Sequence, residues 1–258
     1  MIKGLYTAYT GMINEQNRLD ILTNNLANAD TTGFKKEGAT AQSFSDVLGY
    51  KIKDTSEHNI PKKMGVMNLG VKIGENYTDF SQGSFKSTEN TFDLGLSGEG
   101  FFAIEFQSKA GDTSTKYTRD GSFTLTEDGY LVTKDGDFLL NTDGNHIKLD
   151  PLAETSIDRA GAVYQNGVKV SNIQVTDFTD YNFIEKYGEN LYQAVEGATE
   201  QPANAKIYSG YLEASNVQVV SEMVEMINVT RAYETNQKMI QTMDDTLSKA
   251  VNNLGQLV

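Results

Sequence analysis

The segment of the sequence richest in potential metal ligands is residues 135–150, whose carboxylates could bind calcium. Aligned with an EF-hand loop, it places Asn141, Asp143 and Asp150 at ligand positions, but Leu139 falls at the first one. The neighbouring Asp-Gly pairs also predict hairpins where an EF-hand would have helices. The pattern therefore favours acids that form turns over a calcium site.

Other residues capable of chemistry are few. The two histidines, His58 and His146, lack the spacing of a zinc site, and the sequence contains no cysteine for disulfides, thiolate ligands or nucleophilic catalysis. Acid pairs such as Asp112 with Asp120 could serve as the carboxylates of a glycosidase, but no aromatic setting that would raise one pKa surrounds them. We therefore predict no enzymatic activity, no metal site, no cofactor and no small-molecule substrate.

The charge balance limits the partners. The chain has 22 Lys and Arg against 35 Asp and Glu, a formal net charge of −13. Nucleic acids and anionic membrane surfaces both require clustered basic residues, so we expect neither as a partner. No apolar run approaches a membrane span, and the first twenty residues lack the apolar core of a secretory signal. We expect a soluble protein, whose export would use another route.

Glycine and proline divide the sequence into three zones. All glycines except Gly4, Gly11 and Gly255, and all three prolines, fall between residues 33 and 210, which confines turns to the middle. This predicts an α+β fold with a helix at each end and a central all-β domain of short hairpin-connected strands. The expected division is an N-terminal helix at 1–32, an extended linker and β segment at 33–90, the β domain at 91–214 and a C-terminal helix at 215–258.

Apolar residues in both end segments recur every seven positions, which is typical of helices that pack against other helices. The stripe is wide enough for several neighbours, so we predict an assembly interface and a coiled-coil-like pairing of the two ends. The interface residues are Leu5, Met12, Leu19 and Leu26 in the first segment and Val219, Met223, Met226, Tyr233, Ile240, Leu247, Val251 and Leu254 in the second. The alternative is that both helices simply cap the β domain.

The middle of the sequence predicts short strands joined by tight turns. Four Asp-Gly pairs lie seven or eight residues apart between residues 120 and 144. Each suits a two-residue hairpin turn, since both of its residues can take positive φ. Asn166 and Gly167 predict a further hairpin of the same kind.

The end segments resemble motifs of a known family. Residues 11–36 are similar to the N-terminal motif shared by bacterial flagellar rod, hook and hook-associated proteins, and residues 210–247 to the matching C-terminal motif. Residues 96–104 and 117–132 resemble the β domain of the same family. The core of the N-terminal motif is Asn24, Asn25, Leu26, Ala27, Asn28, Thr32, Gly33 and Phe34.

This resemblance implies a structural, non-enzymatic subunit of the flagellar basal-body rod, with the terminal helices at the centre of a tubular filament and the β domain outside. The implied partners are copies of the chain itself, other rod subunits, the hook protein and the flagellar type III export apparatus. The implied location is the basal body, reached without a cleaved signal peptide. Phe44 and Leu48 match the family's export gate-recognition motif, a Phe followed four residues later by an apolar residue.

Two alternatives remain at this point. The length and the C-terminal motif favour the distal rod subclass, but residues 51–71 depart from it, so the proximal rod is also open. A protein of a different class, a secreted carbohydrate-binding or adhesive β domain, would need clustered aromatic and acidic residues, and tryptophan is absent. Electron microscopy at high protein concentration separates these classes, since a rod subunit can form filaments.

Overall fold

The computed structural model describes residues 2–45, 47–50, 63–68, 70–108, 111–188 and 190–255. Within them, one long helix near each end of the chain flanks a succession of short strands, which confirms the α+β class. The chain divides into two compact units. The helix unit comprises Met1–Ala27, Glu37–Asp79 and Gln218–Val258, and the β unit comprises Asn28–Lys36 and Phe80–Val217.

The helix unit contains two helices and four strands. They are α1 (Ile2–Ala27), β1 (Glu37–Ser43), β2 (Val47–Tyr50), β3 (Lys63–Met67), β4 (Val71–Thr78) and α2 (Val219–Gly255). Strand β1 pairs antiparallel with β4, and β2 pairs antiparallel with β3. Helix α2 carries Glu222 in its first turn, where a carboxylate interacts favourably with the helix dipole.

Helix α1 ends at Ala27, whereas the sequence predicted an N-terminal helix that extends to residue 32. The backbone N–H of Thr31 donates to the carbonyl of Asn28 in a turn that follows the helix, and Gly33 beyond this turn has a φ of +68°, in the left-handed region. The residues after α1 therefore belong to the β unit. At the other end α2 begins at Val219, four residues after the predicted boundary at 215.

The β unit is built from short strands. They are β5 (Phe85–Ser87), β6 (Leu94–Ser97), β7 (Phe101–Gln107), β8 (Thr113–Thr118), β9 (Thr124–Leu125), β10 (Leu131–Val132), β11 (Phe138–Leu139), β12 (Thr155–Ile157), β13 (Ala162–Gln165), β14 (Val168–Asn172), β15 (Val175–Phe178), β16 (Ile184–Tyr187), β17 (Leu191–Ala194), β18 (Glu200–Pro202), β19 (Lys206–Ser209) and β20 (Tyr211–Glu213). The main sheet has the order β16-β17-β8-β7-β11-β10-β9, and β15 joins it by pairing with β7 and β18. Smaller antiparallel groups are β12-β13-β14, β19-β6 and β20-β5.

Strand β7 is buried on both faces and organises the core. Phe102 and Ile104 point into one apolar cluster, and Phe101 and Ala103 into a second. This alternation follows from the two-residue period of a strand. Each fully buried large side chain contributes about 1.5–3 kcal/mol relative to exposure, so β7 anchors both layers of the unit.

The turns differ in part from the prediction. Asn166 and Gly167 have φ values of 50° and 79° and join β13 to β14, which confirms the predicted hairpin. In three of the Asp-Gly pairs only the glycine takes positive φ, with Gly129 at 85°. The expectation of two left-handed residues is therefore wrong there. The backbone N–H of Thr126 bonds to the carbonyl of Tyr130 across a longer loop, which needs one left-handed residue.

Candidate assembly site

The two helices of the helix unit run antiparallel and in close contact. A Cβ atom added to Gly4 would lie 2.7 Å from Cε of Met243, and one added to Gly11 would lie 3.0 Å from Nδ2 of Asn236. The two glycines are seven residues apart and therefore lie on one face of α1. Their missing side chains allow the helices to approach. Neither helix, over its described residues, has a stretch apolar enough to cross a membrane.

The predicted interface residues separate into three groups. Leu5, Met12, Leu19, Leu26, Met226, Tyr233, Ile240 and Leu247 are half-buried within the chain. Val219, Met223 and Val251 are exposed. Leu254 belongs to α2, but its side chain lies outside the described residues.

The flank of α2 that contacts α1 differs in part from the predicted interface. The prediction included Met223 and Val251, which are exposed, whereas the residues of α2 that contact α1 include Glu222, Asn236 and Met243. Both sets lie three or four residues from the column that contains Met226, Tyr233, Ile240 and Leu247. Seven-residue spacing alone therefore could not decide which flank faces α1.

Two apolar patches on the helices are exposed in the described part of the chain. The α1 patch is Tyr6, Tyr9 and Ile13, and the α2 patch is Val220, Val224 and Ile227. Tyr9 is 51% exposed and Val220 77% exposed. Clustered exposed apolar side chains of this kind typically mark interaction surfaces.

Asn25, from the core of the N-terminal motif, binds the backbone of the chain that follows α1. Its side chain is fully buried, its Nδ2 donates to the carbonyl of Glu37 at 2.8 Å, and its Oδ1 accepts from the N–H of Glu37 at 2.9 Å. Nδ2 also lies 3.4 Å from Oε2 of Glu222 on α2. The amide thus pairs with Glu37 as a neighbouring strand would, and it joins α1, β1 and α2.

Replacing Asn25 with Ala should lower the free energy of unfolding of the helix unit by about 2 kcal/mol, because both peptide groups of Glu37 lose their partner in a buried site. Gln16→Ala is the matched control, since Gln16 is a polar residue of the same helix but is exposed, and it should change stability by less than about 0.5 kcal/mol. Thermal unfolding followed by circular dichroism measures both. Equal melting temperatures for the two variants would contradict this role of Asn25.

The part of the N-terminal motif from Asn28 onward is in the β unit. Thr32 Oγ1 donates to Oδ1 of Asp120 at 2.7 Å, and Nδ2 of Asn190 donates to the carbonyl of Thr32 at 2.8 Å. Phe34 is 1% exposed, with Nζ of Lys186 lying 4.3 Å from the ring centroid. These motif residues therefore act through packing and hydrogen bonding within the chain.

A buried ion cluster lies beside this segment, and sequence analysis did not find it. Nζ of Lys35 is 2.5 Å from Oε1 of Glu213, and Nη1 of Arg119 is 3.2 Å from Oε2 of the same carboxylate. Lys35 also donates to the carbonyl of Ser81 at 2.9 Å, and Arg119 to that of Gly98 at 2.8 Å. The three charged side chains are at most 3% exposed. Buried charges need such pairing because desolvation is costly.

Three segments of chain meet around this cluster, and we call them the junction segments: residues 33–36, 81–84 and 213–216. Hydrogen bonds join them pairwise. They run from Gly33 N to Glu213 O at 2.8 Å, from Ala214 N to Ser84 O at 2.8 Å, from Lys36 N to Asn216 Oδ1 at 2.7 Å and from Asn216 Nδ2 to Ser81 O at 3.2 Å. Segments far apart in sequence are thus held side by side.

The candidates for chemistry do not converge on a reactive site. Within the described residues no three His, Asp or Glu side chains are placed to hold a metal ion. His146 stacks on Phe138 and bonds to Glu105, and His58 lies outside the described residues. Burial and a hydrogen bond to Glu200 raise the pKa of Tyr117 above its ordinary value, which keeps that phenol neutral.

The predicted export motif falls at the edge of the described region. Phe44 is 38% exposed, its N–H donates to the carbonyl of Gly70 at 3.1 Å, and its carbonyl accepts from Nδ2 of Asn68 at 2.8 Å. Leu48 lies in β2, but its side chain is outside the described residues. The recognition role of this pair stays a prediction.

Three parts of the chain are similar to known protein families. Family models match residues 5–35 (flagella basal body rod protein), 95–165 (flagellar hook protein FlgE/F/G D1 domain) and 208–254 (flagellar basal body rod FlgEFG protein C-terminal). The flagellar basal-body rod protein FlgF of Caulobacter vibrioides is 35% identical over 259 residues, covering 100% of both chains. The chain belongs to the flagellar basal-body rod protein family. FlgG of Bacillus subtilis is 34% identical over 276 residues, covering 98% of this chain and 99% of its own.

A further relative in this family is the flagellar hook-basal body complex protein FlhO of Bacillus subtilis, 33% identical over 272 residues with 100% of both chains covered. Each of the three regions matched by the family models contributes one charged residue to the buried cluster: Lys35, Arg119 and Glu213. In this rod protein the three regions thus come together at one point in the β unit.

Proposed function

We propose that the chain is a structural subunit of the flagellar basal-body rod, without enzymatic activity, which assembles with copies of itself, with other rod subunits and with the hook protein. The relatives named basal-body rod proteins align with nearly the whole of this chain, which supports a place in the rod. The observation that carries the assembly role is the pair of exposed apolar patches on α1 and α2. A surface of this kind lowers its free energy when a neighbouring subunit covers it.

In this proposal α1 and α2 pair in a coiled-coil-like manner and form the axial core, with the β unit outside. The antiparallel contact through Gly4 and Gly11 supports the pairing. The subunit resides in the basal body and reaches it through the flagellar type III export apparatus without a cleaved signal peptide, with Phe44 and Leu48 as the recognition motif.

The position along the rod has two candidates. The sequence favours the distal rod, and relatives named FlgG support it at 30–34% identity. The FlgF relative aligns over 259 positions against the 258 residues of this chain, whereas FlgG of Bacillus subtilis needs 276, so a subunit of the FlgF type is the second candidate, and the proximal rod stays the alternative position. The two candidates are distinguished by expressing the chain in a strain that lacks FlgG and in a strain that lacks FlgF. The strain in which swimming is restored identifies the position.

The proposed assembly into the rod is tested by a substitution of one exposed residue on α2. Val224→Asp should abolish swimming while changing the free energy of unfolding by less than about 0.5 kcal/mol, because Val224 is 55% exposed in the chain and a carboxylate is disfavoured only where a neighbour buries it. Gln237→Asp, an exposed polar position on α2, is the control and should swim normally.

Isolated basal bodies provide the readout. The unmodified chain should co-purify with them, and the Val224→Asp variant should stop construction at the step where this subunit joins. Absence of the unmodified chain from basal bodies would contradict the proposed function. Complete basal bodies containing Val224→Asp would show that the α2 patch is not an assembly surface.

A further inference from the structure

A cleft opens on the surface of the β unit, and every residue that lines it belongs to that unit. Its volume is about 600 Å³, which is within the usual range of ligand-binding clefts. Segments far apart in sequence supply its walls. Among the lining residues are Phe106, Asp120, Asp135, Asp137, Tyr187 and Asn190.

Two carboxyl groups in the cleft are held in fixed positions. Oδ1 of Asp120 accepts from Oγ1 of Thr32 at 2.7 Å, and from the N–H and Oγ of Ser122 at 3.0 Å and 2.7 Å. Asp137 is 8% exposed, and the backbone N–H of Gln107 donates to its carboxylate. A carboxylate has about four acceptor positions, so each group keeps acceptor capacity for a ligand after it has been oriented by the chain.

The amide of Asn190 adds an acceptor that lacks a donor. Its Nδ2 donates to the carbonyl of Thr32 at 2.8 Å, which fixes the orientation of the amide. Its Oδ1 is buried, and none of the described residues donates to it. A buried acceptor without a hydrogen bond is unfavourable, so a donor from outside the chain would stabilise this site.

Two aromatic side chains also line the cleft. The ring centroids of Phe106 and Tyr187 are 5.4 Å apart, with their planes at 72°. Tyr187 is 43% exposed. An exposed ring beside oriented polar groups suits a ligand that has an apolar face and polar edges.

The charges in the cleft favour a neutral ligand. Four carboxylates and one ammonium group line it: Asp30, Asp120, Asp135, Asp137 and Lys134. They disfavour an anion. A cation would meet the ammonium group of Lys134, and Nζ of Lys116 already lies 4.1 Å from the ring centroid of Tyr187. The described acidic residues are also not grouped to hold a metal ion.

We propose that this cleft binds a neutral carbohydrate, whose hydroxyl groups donate to Asp120, Asp137 and Asn190 and whose ring packs on Tyr187. Sugar hydroxyls supply the donors that these acceptors lack, and the C–H groups of a sugar ring supply an apolar face. Clustered aromatic and acidic residues are what a carbohydrate site requires, and the fold brings them together from distant parts of the chain. The inference goes beyond the proposed function and does not depend on it, because the cleft lies on the β unit and not on the assembly patches.

Titration calorimetry of the full-length protein with cellotetraose and with chitotetraose, two neutral oligosaccharides, tests the site. At least one of them should bind. Tyr187→Ala and Asp120→Asn should each weaken this binding by about tenfold, because the first removes the apolar contact and the second replaces an acceptor with a donor.

Each variant has a matched control outside the cleft. Tyr211 is 41% exposed and also belongs to the β unit, so Tyr211→Ala controls for the loss of an exposed tyrosine. Asp143 precedes a glycine, as Asp120 does, so Asp143→Asn controls for the loss of charge. Both controls should change the dissociation constant by less than about twofold.

Spermidine separates a carbohydrate site from a cation site. Sugar binding should change little between low and high salt, whereas binding of a polyamine to carboxylates is screened by salt. Failure of both sugars to bind overturns the inference, as does equal binding by cleft variants and controls. Salt-sensitive binding of spermidine without binding of either sugar would assign the cleft to cations and overturn it as well.

Hydrogen exchange on the unmodified protein keeps the test decisive where a variant is unstable. The bound sugar should slow amide exchange in residues 133–137 and 187–191, which line the cleft, and leave residues 165–170 unchanged. Slower exchange only outside the cleft overturns the inference. A chain that is present in basal bodies but binds no sugar would overturn this inference alone, and the proposed function would stand.

Discussion

Replacing Glu213 with Ala should lower the free energy of unfolding of the β unit by about 3–5 kcal/mol, the usual cost of leaving buried charges without a partner. The side chains of Lys35 and Arg119 lie 2.5 Å and 3.2 Å from its carboxylate and are 0% and 3% exposed. The N–H of Gly83 would also lose its acceptor, Oε1 of Glu213, at 2.9 Å. Domains are stable by only about 5–15 kcal/mol, so the unit would come close to unfolding.

Denaturant unfolding followed by tyrosine fluorescence and circular dichroism measures this loss. Glu185→Ala is the matched control because Glu185 is also a strand residue but is exposed, and it should change stability by less than about 0.5 kcal/mol. The loss in Glu213→Ala should persist at high salt, since buried pairs are little screened. A loss equal to that of the control would show that the cluster does not hold the unit together.

Replacing Gly33 with Ala should destabilise the β unit by about 3 kcal/mol, through two effects. Its φ of +68° costs a residue with a side chain about 1–2 kcal/mol. An added Cβ would also lie 2.4 Å from the carbonyl carbon of Arg119 and from the backbone N of Asp120, and overpacking of this kind costs about 1–3 kcal/mol. These contacts are backbone atoms, which cannot rotate away.

Gly144→Ala separates the two effects. Gly144 has a similar φ of +75°, but an added Cβ would meet no atom within 4 Å. The control should therefore show only the conformational cost, and the difference between the two variants measures the close approach of residue 33 to the strand end at Arg119. Equal losses in both variants would mean that the chain near Gly33 moves aside without cost.

The seven-residue periodicity was enough to predict both helices. It also predicted part of the face through which they contact each other. The column of Met226, Tyr233, Ile240 and Leu247 lies half-buried, as a seven-residue repeat suggests. The flanking column could not be chosen, because contact with α1 depends on residues such as Gly11, whose role is to be small. Absence of a side chain carries no hydrophobic signal in a sequence.

The motif residues show a different gap between sequence and structure. The core motif was predicted from its resemblance to the family, but the partners of its residues were not. Lys35 and Glu213 are 178 positions apart in sequence, and no local pattern connects them. The only sequence signal of the buried pair is that each residue is a charged residue inside a family motif. A charged residue is usually interpreted as solvent-exposed.

The junction segments also bear on how a rod subunit could carry mechanical load. The chain passes between the helix unit and the β unit after residues 27, 36, 79 and 217. The last three of these passes adjoin the junction segments, which are bonded to one another within the β unit. A force that entered the β unit along these three linkers would reach segments that are already bonded to one another. No single linker would then carry the whole load.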